Sequence, residues 1–275
     1  MIPFTLSAPL DGWSPILLAS PHSGTHLPPG FLSRTRLSPM AVRRLEDAHV
    51  GRLFARASAH APLIEATHGR AVIDLNRSET DFDRHAVEGG PPQARTDRAR
   101  AGFGLFPRIV APGQTLLSQP LSRAEAMARI ARLHRPWHQA IGEGLAAARA
   151  RHGIAILVDC HSMPPLEAGG AQVVLGDRFG TSAGAEIVEA LETAFRAEGL
   201  SVARNHPYAG GHALERHGRP AEGFHAIQVE LCRALYMNPE NLAPHDGFAR
   251  LAAILSRVIA ELAGSHRAPL AVAAE

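Results

Sequence analysis

The sequence predicts an α/β protein in which helices cover both faces of a mixed β-sheet. Short apolar runs alternate with longer segments of helical periodicity along the 275 residues, a pattern typical of chains that pack helices on a sheet. Several apolar runs are continuous, as expected of strands buried on both faces. No internal repeat or marked change in composition divides the chain, so we expect a single three-layer domain over residues 1–275.

The predicted strands are apolar runs bounded by polar residues, glycine or proline, and they cover residues 15–20, 63–66, 71–75, 154–159, 171–175, 201–204 and 225–231. The predicted helices cover residues 39–60, 123–151, 183–197 and 239–263. We expect Pro39 in the first turn of the first helix, a kink at Pro136 in the second and Asn238 as the cap of the last. Residues 76–122 are expected to form a long loop, of a kind that is usually functional or mobile, and residues 264–275 are expected to form a loose tail.

The amino-acid composition excludes several kinds of catalysis and binding site. All 28 positively charged residues are arginine, which excludes lysine-dependent catalysis. The net charge of +2, without a long basic run, gives no expectation of a nucleic-acid partner. Two cysteines exclude a disulfide framework or a cysteine-rich zinc site, whereas sixteen histidines leave a site of histidines and carboxylates open.

The sequence says less about cellular location and oligomeric state. No apolar run approaches the length of a membrane span, and the N-terminus lacks the pattern of a signal peptide. We therefore expect a cytoplasmic protein with no membrane partner. The composition does not distinguish a monomer from an oligomer.

Polar clusters follow four of the predicted strands. They span residues 20–24, 74–77, 159–162 and 228–231. Open α/β sheets place their ligands at the carboxyl ends of their strands. We therefore expect these four clusters to form one shared site.

His22 and His161 are the candidate metal ligands in these clusters. Catalytic zinc commonly uses two histidines and a carboxylate, and Glu46 and Asp47 are the candidate carboxylates. Since alternate residues of a strand share a face, Asp159 would lie beside His161 and order its imidazole. The alternatives are hydrogen-bonded histidines at a strand end or in a loop, and acids placed near the start of a helix for its dipole.

Glu230 is the candidate general base. It ends an otherwise apolar strand, where an ionised carboxylate is costly unless it is used. With a metal in the site, Glu230 would take a proton from the attacking water. The alternative is a buried structural pair with Arg233.

Arg77 is a candidate clamp for a substrate carboxylate, and Asn76 would add a directional hydrogen bond. The alternative for Arg77 is a salt bridge to Asp74 or Asp81. Other arginines of the long loop are also candidates for an acidic substrate, namely Arg95, Arg98, Arg100 and Arg108.

Six short motifs occur in order along the chain: Ser20–Gly24, Glu46–Val50, Val72–Arg77, Asp159–Pro164, Asn205–Gly211 and His225–Met237. Together they resemble the N-formylglutamate amidohydrolase family over about residues 15–240. The resemblance implies a zinc-peptidase-like α/β fold related to carboxypeptidases and aspartoacylases. It also implies hydrolysis of N-formyl-L-glutamate to formate and L-glutamate in histidine breakdown.

Position by position, the resemblance implies that His22 and His161 bind one zinc ion per chain and that Glu230 is the general base. Asn76 and Arg77 match an Asp-Leu-Asn-Arg run that serves the acidic groups of the substrate in aspartoacylases. Arg233 is the third residue that we assign to substrate binding.

The sequence departs from the related enzymes at the second metal ligand. In carboxypeptidases and aspartoacylases an acid follows the first histidine by three residues, whereas here that position is Thr25. The carboxylate must come from elsewhere, and we choose Asp47 over Glu46. The loop Gly102–Pro107 resembles one branch of the family more than the histidine-degrading enzymes, so the expected substrate includes similar small acidic N-acyl amino acids.

A serine hydrolase is an alternative, because Gly180–Gly184 fits the G-x-S-x-G pattern around Ser182 and Asp246 and His266 follow in a workable order. That pattern requires the serine directly between a strand and a helix, and residues 176–180 intervene here.

Two further alternatives remain. One is a nucleophilic Cys160, which we expect to face away from His161 on the strand. The other is a non-catalytic protein that binds acidic small molecules through Arg77.

Overall fold

A seven-stranded mixed sheet organises the structure, a computed structural model that describes residues 2–167 and 170–267. The strands are β1 (Phe4–Leu6), β2 (Ile16–Ser20), β3 (Leu63–Ala66), β4 (Ile109–Ala111), β5 (Gln114–Thr115), β6 (Ala155–Met163), β7 (Val173–Gly176), β8 (Val202–Arg204) and β9 (Phe224–Cys232). The helices are α1 (Pro39–Arg43), α2 (Val50–Phe54), α3 (Asp97–Arg100), α4 (Arg123–Arg129), α5 (Arg135–His152), α6 (Ala185–Ala197), α7 (His212–His217) and α8 (Gly247–His266).

The strands of the large sheet lie in the order β1-β3-β2-β6-β9-β7-β8, and β4 and β5 form a separate hairpin. The central strands β3, β2, β6 and β9 are parallel neighbours, whereas β1 and β7 run antiparallel to β3 and β9. The carboxyl ends of β2, β6 and β9 therefore meet at one edge, where a ligand site is expected. Across the β6–β9 pair, His161 lies opposite Glu230.

Helices cover both faces of this sheet. Because alternate strand residues point to opposite sides, Leu18 and Val158 pack with α2, α6 and α8, whereas Leu17 and Leu157 pack with α5 and α7. Both sets of side chains are buried. The predicted α/β fold, with a mixed sheet between two helical layers, is confirmed.

The prediction of one helix over residues 39–60 is wrong in its middle, where the chain leaves the helix between α1 and α2. The amide of Asp47 donates to the carbonyl of His22 at 3.0 Å, and His49 has a left-handed conformation with a φ of 68°. This tertiary hydrogen bond overrides the local helix propensity. Glu46 and Asp47 consequently lie between two helices rather than near the start of one.

Residues 71–75, predicted as a strand, form a buried turn. The amide of Val72 donates to the carbonyl of Gly69, and that of Asp74 donates to the carbonyl of Leu105. The backbone amides of this segment are thus hydrogen-bonded outside the sheet. Its run of apolar residues reflects burial of the turn and not a strand.

The last helix differs from its prediction at both ends. α8 begins at Gly247, and the Asn238 side chain accepts from the amide of Glu240 in the preceding turn instead of capping the helix. The helix continues to His266, so residues 264–266 of the predicted loose tail are helical. The rest of that tail, from residue 268, lies outside the described residues.

Three other segments were incompletely predicted. The long loop over residues 76–122 contains α3 and the β4–β5 hairpin, and β1 and α7 were not predicted at all. A π-helical turn, Ile130–His134, ends two residues before Pro136, whose missing amide hydrogen interrupts the α-helical pattern. Across residues 2–167 and 170–267, no helix is both long and apolar enough to cross a membrane.

Candidate active site and metal centre

Three predicted metal ligands meet at the carboxyl edge of the sheet. His22 follows β2, His161 lies on β6, and Asp47 enters from the break between α1 and α2. The Asp47 Oδ2 atom lies 3.2 Å from His22 Nδ1 and 2.9 Å from His161 Nδ1. All three side chains are buried, and their ligating atoms lie within 4.8 Å of one another. We refer to these three residues as the His22 cluster.

A second carboxylate orients each histidine. His22 Nε2 lies 2.7 Å from Asp74 Oδ1, and His161 Nε2 lies 2.9 Å from Asp159 Oδ2. An ionised carboxylate only accepts hydrogen bonds, so each Nε2 donates to its own aspartate and each Nδ1 is the atom that faces Asp47, where a metal ion would take the place of a proton. Histidine ligands of metals commonly show this arrangement.

The carboxylates around the cluster favour positive charge at its centre. Burial opposes the charged forms, but the histidines hold the pKa of Asp47 well below its usual value, and Asp159 and Asp47 hold the pKa of His161 well above its usual value. Asp159 Oδ1 is also buried without a hydrogen-bond partner. Two ring nitrogens and a carboxylate oxygen converge here, a donor set that suits zinc.

Of the two candidate carboxylates, Asp47 points into the cluster and Glu46 does not. Glu46 Oε2 lies 3.1 Å from Arg43 Nε. Burial raises the pKa of Glu46, against the opposing effect of Arg43. Glu46 therefore pairs with Arg43 at the end of α1 rather than with the histidines.

Arg233 holds Asp47 in place instead of pairing with Glu230. Its Nη2 donates to Asp47 Oδ1 at 3.0 Å and to the carbonyl of Glu46 at 2.9 Å. Its Nε donates to Ser162 Oγ, which in turn donates to Asp47 Oδ1, each at 3.1 Å. Arg233 also lines the cavity in front of the cluster, but the hydrogen bonds that it makes are to the protein.

Glu230 faces the same cavity from β9. Its Oε1 accepts from Gln228 Nε2 at 2.8 Å, and its side chain is buried. Burial raises its pKa to about 7, with His161 opposing the shift. A carboxyl group that exchanges a proton near neutral pH is suited to general base catalysis.

The cavity has a volume of about 670 Å³, and its cationic lining residues are Arg44, Arg70, Arg77, Arg98 and Arg233. Arg70 pairs with Asp74 at 2.9 Å. Together these side chains favour an anionic ligand. Tyr208 adds a phenol to the cavity wall. The sequence did not single it out: it lies in the motif Asn205–Gly211, but nothing in its position relative to the other candidate residues indicated a role.

Asn76 and Arg77 line the cavity, but both are held by the protein. Asn76 Nδ2 lies 3.0 Å from Asp159 Oδ2, and its Oδ1 accepts from the amide of Ala213 at 2.8 Å. Arg77 Nε donates to the carbonyl of Phe103 at 2.9 Å, and its Nη1 donates to the carbonyl of Asn76 at 3.2 Å. Asn76 thus supports the His161–Asp159 pair, and Arg77 is fixed at the cavity wall.

The serine hydrolase alternative is wrong. Ser182 is buried and donates to the carbonyl of Ala226 at 2.8 Å. Asp246 and His266 flank or end the 20-residue helix α8, which separates them by roughly 30 Å. No triad can form from these three residues.

Cys160 is equally unsuited to be a nucleophile. As predicted, it faces the core on the side of β6 opposite His161. Burial, with a contribution from Asp159, raises the pKa of its thiol well above the usual value. A buried thiol that resists ionisation is inert.

The arrangement is that of an amide-bond hydrolase: a mixed α/β sheet carries two histidines, an aspartate and a buried glutamate at its carboxyl edge. The chain belongs to the N-formylglutamate amidohydrolase family, whose model matches residues 14–237. The family resemblance of the six motifs is thereby confirmed.

Individual relatives agree with this placement. The chain is 32% identical to N-formylglutamate deformylase of Pseudomonas aeruginosa over 264 residues, covering 91% of this chain and 92% of the relative. It is 30% identical to a deformylase of the same name from Pseudomonas putida over 82% of this chain and 83% of the relative.

Among solved structures, N-formylglutamate amidohydrolase of Ralstonia eutropha superposes with a TM-score of 0.90 at 34% identity, covering 97% of this chain and 99% of the other. The Agrobacterium tumefaciens gene product Atu2144 shares the fold, with a TM-score of 0.70 at 19% identity over 96% of this chain and 94% of the other.

Proposed function

We propose that the protein hydrolyses N-formyl-L-glutamate, or a similar small acidic N-acyl amino acid, to the free acid and the amino acid. The observation that carries the proposal is the convergence of the His22 cluster and Glu230 on one cavity with a cationic wall. The names of the Pseudomonas and Ralstonia relatives support the formyl substrate. The proposal includes a cytoplasmic role in histidine breakdown.

The proposal includes one zinc ion held by His22 Nδ1, His161 Nδ1 and an Asp47 oxygen. Bound there, zinc would acidify a water molecule and polarise the formyl carbonyl. Asp74 and Asp159 keep the two Nδ1 atoms directed inward, and Arg233 fixes the position of Asp47.

Glu230 moves the protons of the reaction. As a carboxylate it accepts a proton from the attacking water while the water oxygen bonds to the formyl carbon. It then returns that proton to the amide nitrogen as the carbon–nitrogen bond breaks. The products are formate and the free amine of glutamate. A pKa of about 7 lets the same group act as base and acid near neutral pH.

Arg77 binds a substrate carboxylate and thereby positions the scissile bond. N-formyl-L-glutamate has two carboxylates, and Arg44 and Arg98 bring two further guanidinium groups to the cavity. Arg70 and Arg233 lie 2.9 and 3.0 Å from Asp74 and Asp47, so their charge mainly compensates these two aspartates. Arg77 is 3.8 Å from Asp74 and keeps more of its charge for a ligand.

A formate-release assay on protein without a histidine tag tests this proposal. We expect formate release from N-formyl-L-glutamate that is lost with a chelator and restored by zinc. N-formyl-L-leucine is the control substrate, because it lacks the second carboxylate, and its turnover should be lower. Binding of N-formyl-L-glutamate without turnover would instead support the non-catalytic alternative, and formate release unaffected by chelation would contradict the metal.

A further inference from the structure

A second group of histidines lies behind the Asn76–Arg77 wall of the cavity. His134 ends the π-helical turn, His138 lies on α5, and His212 begins α7. One ring nitrogen from each comes within 4.8 Å of the others. We refer to these three residues as the His138 cluster. It contains no residue of the His22 cluster.

We propose that the His138 cluster binds a divalent transition metal ion such as zinc, distinct from an ion at the His22 cluster, and that this ion fixes the Asn76–Arg77 segment. Three neutral imidazoles are a suitable donor set for zinc, nickel or copper.

The tautomers of two rings favour metal binding. His134 Nε2 lies 2.8 Å from the carbonyl oxygen of Arg77, and His138 Nε2 lies 2.9 Å from that of Leu75. Because a carbonyl oxygen only accepts, each Nε2 carries the proton and each Nδ1 carries a lone pair. This is the same orientation by a hydrogen-bond acceptor that the carboxylates give to the His22 cluster.

His212 supplies an independent observation. Both of its ring nitrogens are buried without a hydrogen-bond partner, and the nearest carboxylate oxygen, on Glu215, is 3.6 Å from Nδ1. Leaving a buried polar atom without a partner is unfavourable, and a bound ion would satisfy one of these two. The His212 side chain is 15% exposed, so the ring lies close to the surface.

His217 marks the direction of the His138 lone pair. His217 Nε2 lies 3.0 Å from His138 Nδ1, so its N–H donates to that lone pair when no ion is bound. An ion would replace this proton, and the His217 ring stacks on that of His138 with ring centroids 5.3 Å apart.

The two carbonyl groups that orient the cluster belong to the residues on either side of Asn76. α7 also donates the amide of Ala213 to Asn76 Oδ1. An ion bridging α5 and α7 would therefore clamp the segment that carries Asn76 and Arg77 from behind, without contact with the reacting atoms.

Metal counting on three proteins tests the proposal. Tag-free wild type, H212F and H85F are loaded with zinc, freed of loosely bound ion by gel filtration and analysed for metal. His85 is exposed and belongs to neither cluster, so H85F controls for the loss of a histidine. We expect H212F to hold one zinc per chain fewer than wild type and H85F. Equal counts in all three proteins would overturn the proposal.

Thermal unfolding gives a second readout that is independent of activity. Without metal, H212F should unfold at or above the wild-type temperature, because the substitution removes two unpaired nitrogens. Zinc should raise the unfolding temperature of wild type more than that of H212F. H212N, which is too short to reach the ion, should lose the same increment. An equal zinc response in wild type and both variants would show that the His138 cluster binds no ion.

Discussion

Each histidine of the His22 cluster has one ring nitrogen at a carboxylate that orients it and the other at Asp47. Asp74 and Asp159 thus decide which nitrogen is free to bind a metal, while Arg233 holds the shared aspartate. Glu230 lies apart from these pairs and keeps a pKa of about 7 through burial. This division assigns metal binding and proton transfer to different side chains, so single substitutions can separate them.

Replacing Glu230 by glutamine should remove proton transfer and leave the metal bound. We expect kcat to fall by roughly 10²–10⁴-fold, because the amide cannot accept a proton from water. Steady-state kinetics and metal analysis of the same preparation test this. A variant that keeps wild-type kcat would rule out Glu230 as the base.

The same substitution should stabilise the metal-free protein at alkaline pH. Between pH 4.5 and about 7 the folded state holds a Glu230 proton that the unfolded state has released, so wild type loses stability as the pH rises through this range. The loss is complete above about pH 7 and amounts to roughly 3 kcal/mol. Denaturant unfolding at pH 5 and pH 8 should show E230Q gaining on wild type only at the higher pH. A constant difference would contradict the raised pKa.

Arg233 is expected to act on the metal through Asp47. R233Q should weaken zinc affinity by roughly 10–100-fold, as the loss of a residue that orients a metal ligand commonly does. R43Q is the matched control, because Arg43 pairs with Glu46 instead. Competition with a chromophoric chelator measures both affinities. Equal affinities in R233Q and R43Q would assign Arg233 to the substrate.

At the scale of elements, the strands were predictable and the break in the helix was not. Residues 63–66 coincide with β3, and 15–20 differs from β2 by one residue, because burial on both faces leaves a continuous apolar run. The break before α2 depends on a hydrogen bond between Asp47 and His22, residues far apart in sequence. The helix propensity of residues 39–60 contains no information about that contact, so the break could not be predicted.

The candidate site, like the fold, was predictable only in part. The residues that end strands, His22, His161 and Glu230, do gather at one edge of the sheet, as the four polar clusters predicted. The pairing of Arg233 with Asp47 was not predictable, because it depends on how three elements that are far apart in sequence pack together. The hydrogen bond between Asn76 and α7 could not be predicted because α7 itself was not predicted.

The close approach of α7 to Asn76 gives a prediction at this scale. A Cβ atom at Gly211 would lie 2.5 Å from Asn76 Nδ2, so G211A should displace Asn76 and lower kcat/KM by at least about tenfold. G142A is the matched control, because a Cβ there, on α5, meets no atom within 4 Å. It should keep activity and gain up to about 1 kcal/mol of helix stability. Equal activities would separate Asn76 from catalysis.

At the scale of the whole molecule, the central sheet concentrates buried charge. Asp47, Asp74 and Asp159 are all buried at one edge, and Arg70 and Arg233 compensate only part of that charge. A metal ion at the His22 cluster would compensate more of it in the folded state alone. The proposed zinc should therefore contribute to global stability as well as to chemistry.

Chelation should lower the unfolding temperature. An ion present at a thousandfold excess over its Kd stabilises the folded state by about 4 kcal/mol, which corresponds to a shift on the order of 10 °C for a chain of this size. Calorimetry with and without chelator measures the shift, and H212F isolates the part due to the His22 cluster. An unchanged unfolding temperature in H212F would contradict zinc binding there.

The pairing of β6 with β9 also has an evolutionary consequence. The spacing of the proposed ligand His161 and the proposed base Glu230 is set by a ladder of backbone hydrogen bonds that runs from Ala155 to Met163. Side chains outside these two strands do not determine that spacing. The residues that would recognise the acyl group and the amino acid lie instead on connecting segments such as 98–110 and 207–211. Insertions and substitutions there can redirect the enzyme to new substrates while the reacting pair keeps its register, so chemistry and selectivity can diverge independently.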